Sequence, residues 1–128
     1  MIVLFLLIGI YMKKEYRVKE NKEIELILKN KVFKSNKYFS VYKRTNKETS
    51  HFRYAISVGK KIGKAVIRNK FKRKITAALS NLNIKLDDNV DVFIIAKPAI
   101  CDIDYNIIYK ELAYLFKKLN LLQGENDE

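Results

Sequence analysis

The spacing of apolar residues changes period several times along the chain, and each change marks an element. From Asn21 to Asn30, Ile24, Ile27 and Leu28 fall on one helical face. Asn21 can cap that helix, Glu23 and Glu25 sit in its first turn where the dipole favours them, and Asn30 is a natural stop. From Tyr38 to Arg44 the period is two, with Phe39 and Val41 on the side expected to face a core. After a polar turn at Thr45 to Ser50, Phe52, Tyr54, Ile56 and Val58 alternate with Arg53, Ala55 and Ser57, which predicts a second strand that pairs with the first as a hairpin. A helix is expected from about Val66 to Asn81, its apolar stripe made by Ile67, Phe71, Ile75, Ala78, Leu79 and Leu82. Val90 to Ala96 is nearly all apolar and reads as a buried central strand, closed off by Pro98. Asp104 to Leu119 is the last helix, with Ile107, Ile108, Leu112, Leu115, Phe116 and Leu119 turned inward. Helix, two strands, helix, strand, helix is the order of an α+β domain built on one sheet.

The polar positions carry a second message. Between Thr49 and Leu86 there is no acidic residue and there are ten basic ones, within a chain whose formal net charge is +12. Solvated helix faces ordinarily mix signs, because like charges one turn apart repel. Here Lys70, Lys72, Arg73 and Lys74 line the arc opposite the apolar stripe, with Asn69 among them and Arg68 at its edge. Gly59 and Gly63 close both ends of the connector before the helix, so the chain can turn tightly and offer amide N–H groups at a helix N-terminus. A phosphate backbone is the partner that relieves such a field. RNA is favoured over DNA because no helix-turn-helix or zinc finger is visible and because Tyr38, Phe39, Tyr42, Phe52 and Tyr54 lie on or near the predicted sheet. Phe39 and Phe52 are assigned to the core, which leaves Tyr42 and Tyr54 as rings open to a base.

Composition limits the alternatives. With 128 residues, 48% hydrophobic, the chain suits one domain with a core. Its single cysteine, Cys101, excludes an internal disulfide and a zinc site built on several thiolates, and fits a reduced, cytoplasmic setting. Residues 1–11 are a separate apolar extension, too short to span a bilayer as a helix and lacking the charge pattern of a signal peptide. Met12 is followed by Lys13, Lys14, Glu15, Tyr16 and Arg17, which reads as a start, so an upstream start assignment is the preferred explanation and a membrane anchor the alternative. The acidic stretch at 123–128 is expected to be a frayed tail.

No catalytic constellation emerges. His51 lies in a predicted turn with no recognisable partner, and Asp87, Asp88 and Asp91 fit an exposed turn and a strand start better than a metal site. Asp102 and Asp104 read as helix-start residues. No Walker loop, HExxH or dinucleotide fingerprint is present.

The stretch Lys60-Lys-Ile-Gly-Lys-Ala-Val-Ile-Arg-Asn-Lys-Phe-Lys-Arg73 resembles the signature of the bacterial ribonuclease P protein subunit, supported by Met12 to Arg17, Asn36 to Phe39, Phe52 to Val58 and Phe93 to Pro98. The resemblance covers about residues 12–122, the expected domain. It implies a ribosomal-protein-like α-β-β-β-α-β-α sandwich, with a four-stranded sheet, a left-handed β-α-β crossover and an extra short strand near Lys61 to Val66. It also implies a ribonucleoprotein endonuclease in which a large RNA with bound Mg²⁺ is the catalyst, with no catalytic or metal-binding residue on the protein. Carried over residue by residue, Lys60, Lys61, Lys64, Arg68, Asn69, Lys70, Lys72 and Arg73 would contact that RNA. Ile24, Leu28, Tyr42 and Tyr54 would line a cleft for the single-stranded 5′ leader of precursor tRNA. Ile24 and Leu28 stand where phenylalanines are usual. Lys64 replaces a common asparagine and Lys70 a common arginine, the latter keeping the charge but losing the bidentate fork. The competing readings are a ribosomal-protein-like RNA-binding module without an enzyme role, and a basic membrane-associated protein anchored by residues 1–11.

Overall fold

The computed structural model describes residues 14–124. Its elements run α1 (Asn21–Lys29), β1 (Val32–Ser35), β2 (Phe39–Thr45), β3 (Arg53–Val58), α2 (Ala65–Asn81), β4 (Val90–Ala96) and α3 (Tyr105–Lys118), with short 3₁₀ turns at Lys14–Tyr16 and Pro98–Asp102. This is the α-β-β-β-α-β-α order. The four strands form one mixed sheet in the order β1-β2-β4-β3, with β4 antiparallel to β2 and parallel to β3.

Two expectations about the sheet are corrected. β2 and β3 do not pair as a hairpin, because β4 lies between them. A strand as continuously apolar as Val92 to Ala96 gains most when flanked on both edges and covered on both faces, and the central position provides this. The polar loop after β2 spans β4's end; Asn46, at its start, is buried and donates Nδ2 to Asp91 Oδ2 at 2.9 Å. The extra strand is not near Lys61 to Val66, which forms a turn and the start of α2. It is β1, an edge strand whose four residues are all exposed, so no apolar alternation announces it.

The main core lies between the sheet and the pair α2 and α3. Phe39, Val41, Val92 and Ile94 meet Ile75, Leu79, Leu112 and Phe116 there, all buried. Full burial of a side chain such as Ile75 or Phe116 contributes about 2–3 kcal/mol. Asp104 starts α3, its side chain accepting from the amide of Ile107 at 3.1 Å. Ile107 itself is exposed and leaves the predicted buried face. On the opposite sheet face α1 packs alone, seated by Ile27 against Val18 and Phe93. Glu20, not Asn21, is its cap residue, and no side chain caps it.

The segment after α3 is better held than its polarity suggests. Leu122 bridges to Ile84, and the Gln123 amide donates to the Asn83 carbonyl at 2.7 Å. Gln123, the first residue of the expected tail, is thus tied to the loop before β4, while residues 125–128, like the extension at 1–11, lie outside the described residues. Among the described residues no helix is long and apolar enough to cross a membrane.

Candidate nucleic-acid interface

One surface is built by α2 and the turn before it. Ile62 is buried and pins the turn, while Lys60 and Lys61 on its tip are exposed. Gly63 has φ +157°, a backbone conformation that favours glycine, and a Cβ there would make a tight contact at 3.1 Å with the Ile67 side chain. The Arg68 Nε donates to the Gly63 carbonyl at 3.1 Å, tying the first turn of the helix to the loop. Phe71, Ile75, Ala78 and Leu79 face the core. Lys64, Asn69, Lys70, Lys72 and Arg73 are exposed, with Arg68 half-buried and Lys74 folded over the Phe71 ring at 5.3 Å. Ile67, expected in the core stripe, is 42% exposed, and Val66 beside it is 80% exposed. They precede the part of α2 that reaches the sheet.

Among the described residues no acidic side chain pairs with these charges. The ion pairs among the described residues involve Arg44 and Arg53 only. The first turn of α2 also holds no acidic residue, so its positive end adds to the field.

A second surface is the sheet face that α1 partly covers. Register lays its side chains out in rows across the strands. The first is Arg44, Asp91, Arg53; the second Phe33, Tyr42, Phe93, Ala55; the third Ser35, Ser40, Ile95, Ser57. The charged row fixes α1. Arg53 donates to buried Asp91 through Nε at 2.9 Å and Nη2 at 2.8 Å, and to Glu23 of α1 at 3.0 and 3.3 Å. Hydrogen bonding to Asp91, reinforced by Glu23, pushes the Arg53 pKa above its ordinary value despite partial burial. At the other end of α1, Asn30 Nδ2 donates to the Lys43 carbonyl at 3.0 Å. The helix is thus held at both ends, and Ile24 and Leu28 pack half-buried beside Tyr42, Ala55 and Ile95.

The structure separates the four cleft candidates. Ile24, Leu28 and Tyr42 come together on this face. Tyr54 does not: its ring is 2% exposed, lies beside Phe52 in the main core, and cannot serve as a stacking platform. The reason is strand parity, since β3 turns Tyr54 toward α2 and Ala55 toward α1. Tyr54 does help to line a cavity of about 270 Å³ at the β3 edge, shared with Arg17, Ile24 and Lys72, which links the α1 side to the cationic helix. The sequence reading overlooked Phe33, whose ring stacks on Tyr42 at 4.8 Å and 22°. It also overlooked Arg17, which bridges to Tyr54 at the open edge of β3.

The remaining chemistry-bearing residues are otherwise engaged. His51 contacts the Phe52 carbonyl through Nδ1 at 2.9 Å and meets the Tyr16 ring edge-on. Asp91 has both oxygens occupied by Arg53 and Asn46, with Arg44 at 3.5 Å, while Asp87 and Asp88 are exposed. No group of three or more His, Cys, Asp or Glu side chains suited to a metal ion occurs among the described residues.

Comparison with known proteins now decides the family. The family model Ribonuclease P matches residues 12–120. The chain belongs to the ribonuclease P protein family. It is 36% identical to the ribonuclease P protein component of Bacillus cereus (strain G9842) over 84% of this chain and 93% of that one. It is 38% identical to that of Enterococcus faecalis, over 87% and 94%. Among solved structures it resembles a Staphylococcus aureus RNase P protein mutant described as defective in mRNA degradation activity, with TM-score 0.78, 36% identity and coverage of 88% and 94%. The RNase P protein of Thermotoga maritima is similar with TM-score 0.69, 25% identity and coverage of 80% and 96%. Family membership makes the chain a ribonuclease P subunit, engaged in tRNA processing.

Proposed function

We propose that this subunit binds a catalytic RNA through the turn 60–64 and the exposed face of α2, and holds the 5′ leader of precursor tRNA in the cleft between α1 and the sheet. The observation that carries the reading is the cationic surface of α2, exposed and without an acidic partner among the described residues. Such a surface neutralises phosphates and releases counterions, which makes assembly salt-dependent. The cleft supplies apolar walls and the Tyr42 ring, which suit unpaired bases and not duplex. In this reading the RNA performs the hydrolysis that frees the mature 5′ end, and the protein raises the affinity for substrate. Mg²⁺ would belong mainly to the RNA; on the protein, the buried carboxylate of Asp91 is already engaged by Arg53 and Asn46. The setting is the cytoplasm, where precursor tRNA is met.

Reconstitution with a ribonuclease P RNA at low Mg²⁺ tests the reading. The protein is expected to lower the Mg²⁺ requirement and to tighten binding of precursor over mature tRNA. A protein that does neither is not acting as this subunit. Arg68→Ala is expected to weaken assembly, through both its charge and its hold on Gly63.

A further inference from the structure

We propose that Phe33, stacked on Tyr42 at the β1 edge, is a stacking site for one unpaired base of RNA, extending the leader cleft outward past α1. The proposal rests on the reading of that cleft as the leader's path. Phe33 is 46% exposed, on an edge strand where a polar residue would satisfy the fold equally well. It is nevertheless held in place: its ring lies 4.8 Å from that of Tyr42 at 22°, in the same row as Phe93 and Ala55. A ring fixed in advance loses little freedom when a base stacks on it.

The surroundings favour RNA as the occupant. From Leu26 to Lys47 the chain has no acidic residue and seven basic ones, a second acid-free run besides the one that contains α2. Lys31 and Lys34 are close to Phe33 in sequence, are exposed, and enter no ion pair among the described residues, Lys34 projecting from the opposite face of β1. An exposed aromatic ring on a basic sheet edge suits a base and its neighbouring phosphates. A docking protein strand is the other candidate, since β1 has a free edge. But β1 is four residues long and bordered by these lysines, which is how exposed edges are kept from pairing.

The experiment uses holoenzyme reconstituted with a ribonuclease P RNA and precursor tRNAs whose leaders are shortened one nucleotide at a time. Phe33→Ala should weaken precursor binding about tenfold once the leader reaches the outer site, with no loss for shorter leaders or leaderless tRNA. Phe33→Tyr should restore it. A 2-aminopurine placed at the responding leader position should be quenched in the wild type and not in Phe33→Ala. Equal binding by wild type and Phe33→Ala at every leader length overturns the proposal. So does an effect of Phe33→Ala confined to self-association in sedimentation, which would make β1 an interface between copies. If the wild-type holoenzyme does not distinguish precursor from mature tRNA at all, the cleft reading itself has failed, a result distinct from these.

Discussion

Tyr42 and Tyr54 occupy similar positions in similar strands, yet one ring is half-buried on the α1 face of the sheet and the other is sealed in the core. Strand alternation states which residues share a face. It does not state which face two helices cover and which is covered by one, and that difference separates the two tyrosines. Phe33 was illegible for a related reason, since a strand with every residue exposed carries no pattern. Burial also gives the Tyr54 hydroxyl an energetic consequence, because it has no hydrogen-bond partner among the described residues. Tyr54→Phe should therefore leave stability unchanged or raise it by about 1 kcal/mol in urea unfolding. A loss would show that a bound water or ligand in the β3-edge cavity engages that hydroxyl. Asp91 behaves oppositely, with 0% exposure and both oxygens filled. Asp91→Ala would strand Arg53 and lower stability by about 3–5 kcal/mol, whereas Glu23→Ala, at the exposed end of the network, should cost about 1 kcal/mol.

At the scale of elements, α2 was the most legible part of the molecule, because its two faces obey different rules. Phe71, Ile75, Ala78 and Leu79 follow the helical period into the core, and the absence of acids marks the other face. The hairpin error has the opposite origin. Adjacency of β2 and β3 in sequence is a local signal, and the insertion of β4 between them is a non-local one that only the length of its apolar run hints at. The cationic face sets two properties against each other. Lys70 and Arg73 repel their neighbours in the free protein and would attract phosphate in the proposed complex. Replacing both with glutamine should leave the stability of the free protein unchanged or raise it slightly, by about 0.5 kcal/mol of relieved repulsion in thermal unfolding. The same replacement should reduce the slope of log affinity against log salt by about 2 for the catalytic RNA. A fall in melting temperature together with an unchanged slope would mean that this face is structural and touches no RNA.

The whole molecule is a sheet covered on both sides: α2, with its charges, packs on one face, while Tyr42 and α1 lie on the other, where the leader cleft is proposed. The sheet is packed on both faces, with Ile94 and Val92 of β4 buried beneath α2 and α3, and Phe93 and Asp91 of the same strand holding α1. Two RNA segments held on opposite faces of one sheet should bind as independent contacts. Arg73→Ala is expected to weaken assembly with the catalytic RNA and reduce its salt slope by about 1, without changing the ratio of precursor to mature tRNA affinity. Tyr42→Ala is expected to lower that ratio by about 1–3 kcal/mol, without changing assembly. Side chains that share no partner across the sheet should give additive effects, within about 0.5 kcal/mol in a double-mutant cycle. A coupling well above that would mean that one continuous RNA segment wraps the β3 edge, past Arg17 and Lys72, and binds both surfaces at once. Charge reversal at Arg17 then decides between the two arrangements. It should be nearly silent if the faces act separately, and should abolish the coupling if the RNA passes along that edge.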